Sequence, residues 1–154
     1  MYYRPYLTEL LTKCAAEFDV HIFSSSDKEY CDLILKQIDP EQKYFKERWY
    51  KKSCLKADNG QYIKDLTVLG LALDRVVLVD NCSFSFAHQL LNGIPIVSYT
   101  GNQADMELMG LLDYLMNLSK VPEVRKANLE YFKLPTYFEQ GDVNEVFNKI
   151  FGPN

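Results

Sequence analysis

The chain has 154 residues and a mass of 17.9 kDa, and it is 47% hydrophobic, 14% aromatic and 25% charged, which describes one globular domain and excludes disorder, collagen-like repeats and coiled coil. A net charge of -4, from 17 basic and 21 acidic side chains, gives no general electrostatic reason to bind nucleic acid or an anionic membrane. Four scattered cysteines (Cys14, Cys31, Cys54, Cys82) with no C-x-x-C pair, and only two histidines, argue against structural zinc and read as reduced, buried thiols.

The first predicted element is an amphipathic helix over residues 5–18, because Leu7, Leu10, Leu11, Cys14, Ala15 and Phe18 recur at helical spacing behind Pro5. A short apolar strand, Val20 to Phe23, runs into Ser24-Ser25-Ser26. Ser26 and Glu29 have the spacing of a capping box for a second helix carrying Tyr30, Leu33, Ile34 and Ile38 on one face, which Asp39-Pro40 ends. Residues 41–62 read as a hairpin excursion around the Asn59-Gly60 turn signal. The continuous apolar run Val76-Val77-Leu78-Val79 predicts a central parallel strand, buried on both faces and ending in Asp80-Asn81. A helical piece near Phe84 to Leu91, a strand from Ile94 to Tyr99 and a helix from Asp105 to Leu118 follow. Residues 119–154 read as a tail to a single domain spanning 1–154. The order of elements is that of an α/β domain.

No apolar run approaches the ~18 residues of a membrane span and no export signal is visible, so the expected setting is cytoplasmic or nuclear. In an open parallel sheet, ligands collect beyond the carboxyl ends of the strands. Two such ends are polar here, at Ser24 and at Asp80-Asn81. A hydroxyl beside free backbone N–H groups suits a phosphoryl group, and a carboxylate beside an amide suits a hard cation such as Mg²⁺. Between them in sequence, Lys64 stands inside Tyr62-Ile63-Lys64-Asp65-Leu66. A lone loop lysine is ordinarily a solvated charge, but the order Ser, Lys, Asp matches one class of phosphotransferases.

These stretches resemble the small-phosphatase, NLI-interacting-factor-like family of the haloacid dehalogenase superfamily, also described as the FCP homology domain. The resemblance rests on Arg4-Pro5, Phe23-Ser24-Ser25-Ser26, Asp39-Pro40, Ser53-Cys54, Tyr62 to Leu66, Val79-Asp80-Asn81, Asn92-Gly93-Ile94-Pro95-Ile96 and Asp105 to Leu108, in the family's order. It implies a haloacid dehalogenase-like Rossmannoid parallel sheet with helices on both faces and a small β-hairpin insertion. It also implies that Ser24 binds phosphate, Lys64 neutralises the transferring phosphoryl group, Asp80 and Asn81 lie on the metal side with Mg²⁺, and Lys51 contacts substrate where relatives often carry Arg. Cys82-Ser83 depart from the family's usual Ser-Pro.

The family's nucleophile is an aspartate in a D-x-D-x-[TV] motif on the first, central strand, upstream of the Arg-Pro pair. No Asp-x-Asp occurs in this chain. The expected sheet therefore lacks its central strand, and three explanations stand side by side: a strand encoded upstream, a strand from another polypeptide, or a remodelled, non-catalytic fold. The corresponding functions are a Mg²⁺-dependent protein Ser/Thr phosphatase working through an aspartyl-phosphate, a pseudophosphatase serving as an interaction subunit (mitochondrial by analogy with a presequence-translocase relative), or a phosphopeptide-binding module. Partners implied are a phosphoprotein or the polypeptide that completes the sheet, with no role for nucleic acid.

Overall fold

The computed structural model describes residues 3–138. Helix α1 (Leu7–Glu17) starts after Tyr6 turns into the left-handed region at φ 65° and stops where Phe18 becomes extended. It buries Leu11 and Cys14 against α3 (Glu107–Leu118), whose Leu108, Leu112, Leu115 and Leu118 form the opposing stripe at helical spacing. Leu112 and its neighbours centre one core cluster together with Ile94 and Val124.

Strand β1 (Ile22–Phe23) pairs in parallel with β2 (Arg48–Trp49), with Ile22 opposite Arg48. The ladder extends one step further, because the Ser24 N–H donates to Trp49 O at 2.9 Å. Arg48 and Trp49 thus belong to the parallel layer although they lie inside the stretch read as the hairpin excursion. The hairpin itself is β3 (Leu55–Lys56) against β4 (Tyr62–Ile63), antiparallel, turning through Gly60 at φ 83° as the Asn-Gly signal requires. Strand β5 (Leu78–Asp80) pairs in parallel with β6 (Gly93–Pro95). Both are shorter than the predicted runs, but β5 ends at Asp80 as expected.

Helix α2 (Lys28–Ile38) corrects two expectations. Its N-cap is Asp27, not Ser26, and no side chain caps it. Its buried face carries Cys31 and Leu35, while Tyr30 and Leu33 point to solvent. The stop is as read: Asp39 ends the helix, and its buried carboxylate accepts the N–H groups of Lys43 and Tyr44 at 2.8 and 3.1 Å. The segment read as a tail also differs. Residues 124–138 form α4 (Val124–Phe132) and α5 (Leu134–Phe138), and buried Val124 and Leu134 add to the two core clusters. The remainder of that tail, 139–154, lies outside the described residues.

The parallel pairs β1–β2 and β5–β6 are separate, and among the described residues no strand bridges β1 to β5. The two pairs nevertheless share their interior. Val20 packs with Val77 and Val79 around the first cluster, and Phe23 packs on the second cluster of Leu66, Leu78, Phe86 and Leu134. The carboxyl ends of β1 and β5 therefore lie against one core, each with an unpaired edge. None of the described helices is long and apolar enough to cross a membrane.

Candidate functional site

At the end of β1 the Ser24 side chain is fixed by local geometry. Its oxygen accepts the Ser26 N–H at 3.1 Å and the Cys31 thiol at 3.2 Å. With both lone pairs used, the hydroxyl proton is left to donate to a third group. This is a turn closed on Ser24 itself, which explains why Ser26 does not cap α2.

Lys64 leaves β4 with its N–H donating to Ser85 O at 2.8 Å, and its ammonium contacts Asp80 Oδ2. The two side chains are only 12% and 8% exposed, so the pair sits in a largely desolvated position. The other carboxylate oxygen, Oδ1, accepts the Cys82 N–H at 2.8 Å. Asp80 thereby joins the lysine to the loop that follows β5.

Cys54 connects the two halves. Its thiol donates to Ser24 O at 3.6 Å, and burial pushes its pKa up while the Lys64 cation pulls it down and the Asp80 carboxylate raises it. One thiol thus lies within electrostatic reach of Lys64 and Asp80 and in contact with Ser24. The expectation that every cysteine is simply buried holds for Cys14 and Cys31, whereas Cys54 and Cys82 are half-exposed; all four are unpaired.

The remaining expected residues stand at the rim. Asn81 is exposed, and its carboxamide donates to Ser98 Oγ at 3.0 Å. Lys51 lies beside the serine turn, with its N–H on Ser26 O at 3.1 Å and its ammonium 3.4 Å from Asp27 and 5.8 Å from the Tyr62 ring centroid. Ser24, Cys54, Lys64 and Asp80 are therefore brought together, with Asn81 and Lys51 around them. Ser83, next to this group, has a buried hydroxyl without a partner among the described residues.

As a metal site the set is partial. Among the described residues no three His, Cys, Asp or Glu side chains converge. Asp80 offers one hard oxygen ligand, which suits Mg²⁺ in kind, and the other oxygens would come from water, a phosphoryl group and further residues. Sequence reasoning passed over Asp65 and Gln89. Asp65 lies in the lysine loop, where its carboxyl is held down to about 2 by the Thr67 N–H and hydroxyl and further by Gln89 and His88. The signal was adjacency to Lys64 within one motif.

Comparison with known proteins places the chain in a family. Residues 1–125 match the family described as NLI interacting factor-like phosphatase. The chain is 43% identical over 131 residues to CTD small phosphatase-like protein 2 of Dictyostelium discoideum, covering 85% of this chain and 23% of that one. It is 33% identical over 121 residues to the human carboxy-terminal domain RNA polymerase II polypeptide A small phosphatase 1, covering 79% of this chain and 46% of that protein. The solved structure of Fcp1, an essential RNA polymerase II CTD phosphatase, superposes with a TM-score of 0.54 at 20% identity, over 95% of this chain and 40% of that one. The chain spans less than half the length of each of these proteins.

Proposed function

The chain belongs to the family of NLI interacting factor-like phosphatases, and on that premise we propose that it forms the phosphate-facing part of a protein Ser/Thr phosphatase acting through an aspartyl-phosphate. The observation that carries this reading is the buried Lys64–Asp80 pair, linked to the Ser24 backbone through Cys54. The nucleophile strand, encoded upstream or held by another polypeptide, would fit between the unpaired edges of β1 and β5.

In this reading Ser24 donates its free hydroxyl proton to a phosphoryl oxygen and fixes the group in place. Lys64 leaves Asp80 for the equatorial oxygens as negative charge gathers there, which suits a reaction governed by positioning and charge. Asp80 holds the lysine until then and contributes an oxygen to the cation side. Mg²⁺, when bound, would supply the second positive charge on the phosphoryl group. Lys51 at the rim offers a point charge to an acidic or phosphorylated peptide rather than a bidentate fork.

The test adds the missing strand, as an upstream extension or a candidate partner, and measures hydrolysis of a phosphoserine peptide with and without Mg²⁺. Turnover that needs Mg²⁺ and falls by two or more orders of magnitude in Lys64→Ala is the expected result. Absence of turnover, with Lys64→Ala indistinguishable from the native chain, overturns it. A second reading, an inactive interaction subunit, is favoured by one observation: both Asp80 oxygens are already engaged, one by the Lys64 ammonium and the other by the Cys82 N–H. That reading predicts the second outcome together with stable capture of the completing polypeptide.

A further inference from the structure

Lys64 lies at the end of a two-residue strand, where the chain passes into the 3₁₀ turn Leu66–Leu69. A lysine is a compact charge on a flexible four-carbon stem, so the ammonium is placed only as well as its backbone is. Here the backbone is tied at successive points. The N–H of Lys64 goes to Ser85 O at 2.8 Å, that of Leu66 to Gln89 Oε1 at 3.0 Å, and that of Thr67 to Asp65 Oδ1 at 2.9 Å. The Gln89 carboxamide closes the arrangement by donating from Nε2 to the same Asp65 oxygen at 2.9 Å.

Capping the 3₁₀ turn needs only Asp65 and Thr67. The bridge through Gln89, 24 positions away from Asp65, is additional. Gln89 reaches it from a kink within the 3₁₀ segment Ser83–Asn92, where it stands at φ -129° and ψ 63°. That segment begins three residues after Asp80, the partner of Lys64. The same piece of chain therefore anchors both members of the ion pair.

We propose that Asp65 and Gln89 are positioning residues: their hydrogen-bonded bridge fixes the base of Lys64 relative to Asp80 and so sets where the ammonium meets a phosphoryl oxygen. This rests on the reading of Lys64 given under the proposed function. The carboxyl of Asp65, held near 2, stays ionised and keeps accepting all three protons throughout the neutral range.

The experiment uses the full chain with its lysines reductively dimethylated in ¹³C, which keeps their charge, and reads the Lys64 methyl signal, assigned by its loss in Lys64→Ala. The expected native signal lies apart from those of exposed lysines. Gln89→Ala and Asp65→Ala each move it toward them, and Asp65→Asn, whose Oδ1 still accepts from Thr67 and Gln89, keeps it close to the native position. Leu112→Ala, a core change in α3, lowers stability and leaves the signal in place. A Lys64 signal that already coincides with exposed lysines, or that ignores Gln89→Ala, overturns the proposal. Titration with inorganic phosphate and Mg²⁺ separates the two inferences. Loss of affinity in Lys64→Ala with about a tenfold loss in Gln89→Ala supports both, loss in Lys64→Ala alone removes the clamp, and no dependence on Lys64 removes the phosphate-site reading.

Discussion

Arg4 and Asp105, 101 positions apart in sequence, meet as a two-pronged ion pair, with Nε 2.8 Å from Oδ1 and Nη2 2.9 Å from Oδ2. The remaining guanidinium nitrogen, Nη1, donates to Val97 O at 2.6 Å, and the group lies 5.6 Å from the Tyr99 ring centroid. This one side chain joins the start of the described chain to the loop between β6 and α3. Because only a planar fork makes all three bonds, Arg4→Lys retains the charge and still loses about 1–3 kcal/mol of stability. Urea unfolding at neutral pH measures it; an unchanged midpoint would contradict the assignment.

Lys64 and Asp80 are buried as a pair, so removing one is worse than removing both. Asp80→Ala leaves an ammonium desolvated without a counter-charge and costs about 3–5 kcal/mol, whereas Lys64→Met combined with Asp80→Leu recovers most of that loss. Thermal unfolding of the three chains checks the order. Equal destabilisation by the single and the double change would show that the pair is solvated.

Asp65 gives the acid limb of the stability curve a definite shape. Its folded pKa of about 2 lies below the ordinary 3.8, so the unfolded chain takes up its proton first as the pH falls. The stabilisation is complete above about pH 4 and is lost as the pH drops toward 2. Asp65→Asn removes that contribution, and its acid-unfolding profile by circular dichroism is flatter than that of the native chain over this interval.

Gly93 is required by close approach rather than by its backbone angles. A Cβ there would stand 2.3 Å from Phe86 Cδ2, and Phe86 is fully buried. Gly93→Ala therefore forces the ring or β6 to move and costs about 1–3 kcal/mol or more. Adding Phe86→Leu, which shortens the opposing side chain, narrows the gap to the Phe86→Leu single variant in a double-mutant cycle of melting temperatures.

Ser83 predicts a gain. Its hydroxyl is buried at 1% exposure with no hydrogen-bond partner among the described residues, so the folded state bears a desolvation penalty there. Ser83→Ala raises stability by about 1 kcal/mol, measured by denaturant midpoint at constant slope.

Much of the fold is written in local chemistry. The aliphatic run ending at Asp80 marks β5, Asn59-Gly60 marks the hairpin turn, and Asp39-Pro40 marks the end of α2. What escapes is decided at a distance. In α2 apolar residues occupy positions 30, 31, 33, 34, 35 and 38, which wrap around more than one face, and only packing selects Cys31 and Leu35 over Tyr30 and Leu33. Strand β2 is two residues long in a polar, aromatic stretch and exists because β1 offers it an edge. The Ser24 and Asp80 positions are legible as polar groups at strand ends, and Lys64 as a loop lysine through its place between them and its motif. The Gln89 bridge is not, since it depends on a non-helical residue inside a helical segment.

The brevity of β1 and β5, two and three residues, has a consequence for what the molecule will accept at its unpaired edges. Long flat edges recruit strands indiscriminately, and short ones do not. Each edge here offers too few hydrogen bonds to retain a passing segment alone. On the proposed reading, in which a strand fits between these edges, that strand would be held only by engaging both at once, which would separate it from a segment that merely meets one edge.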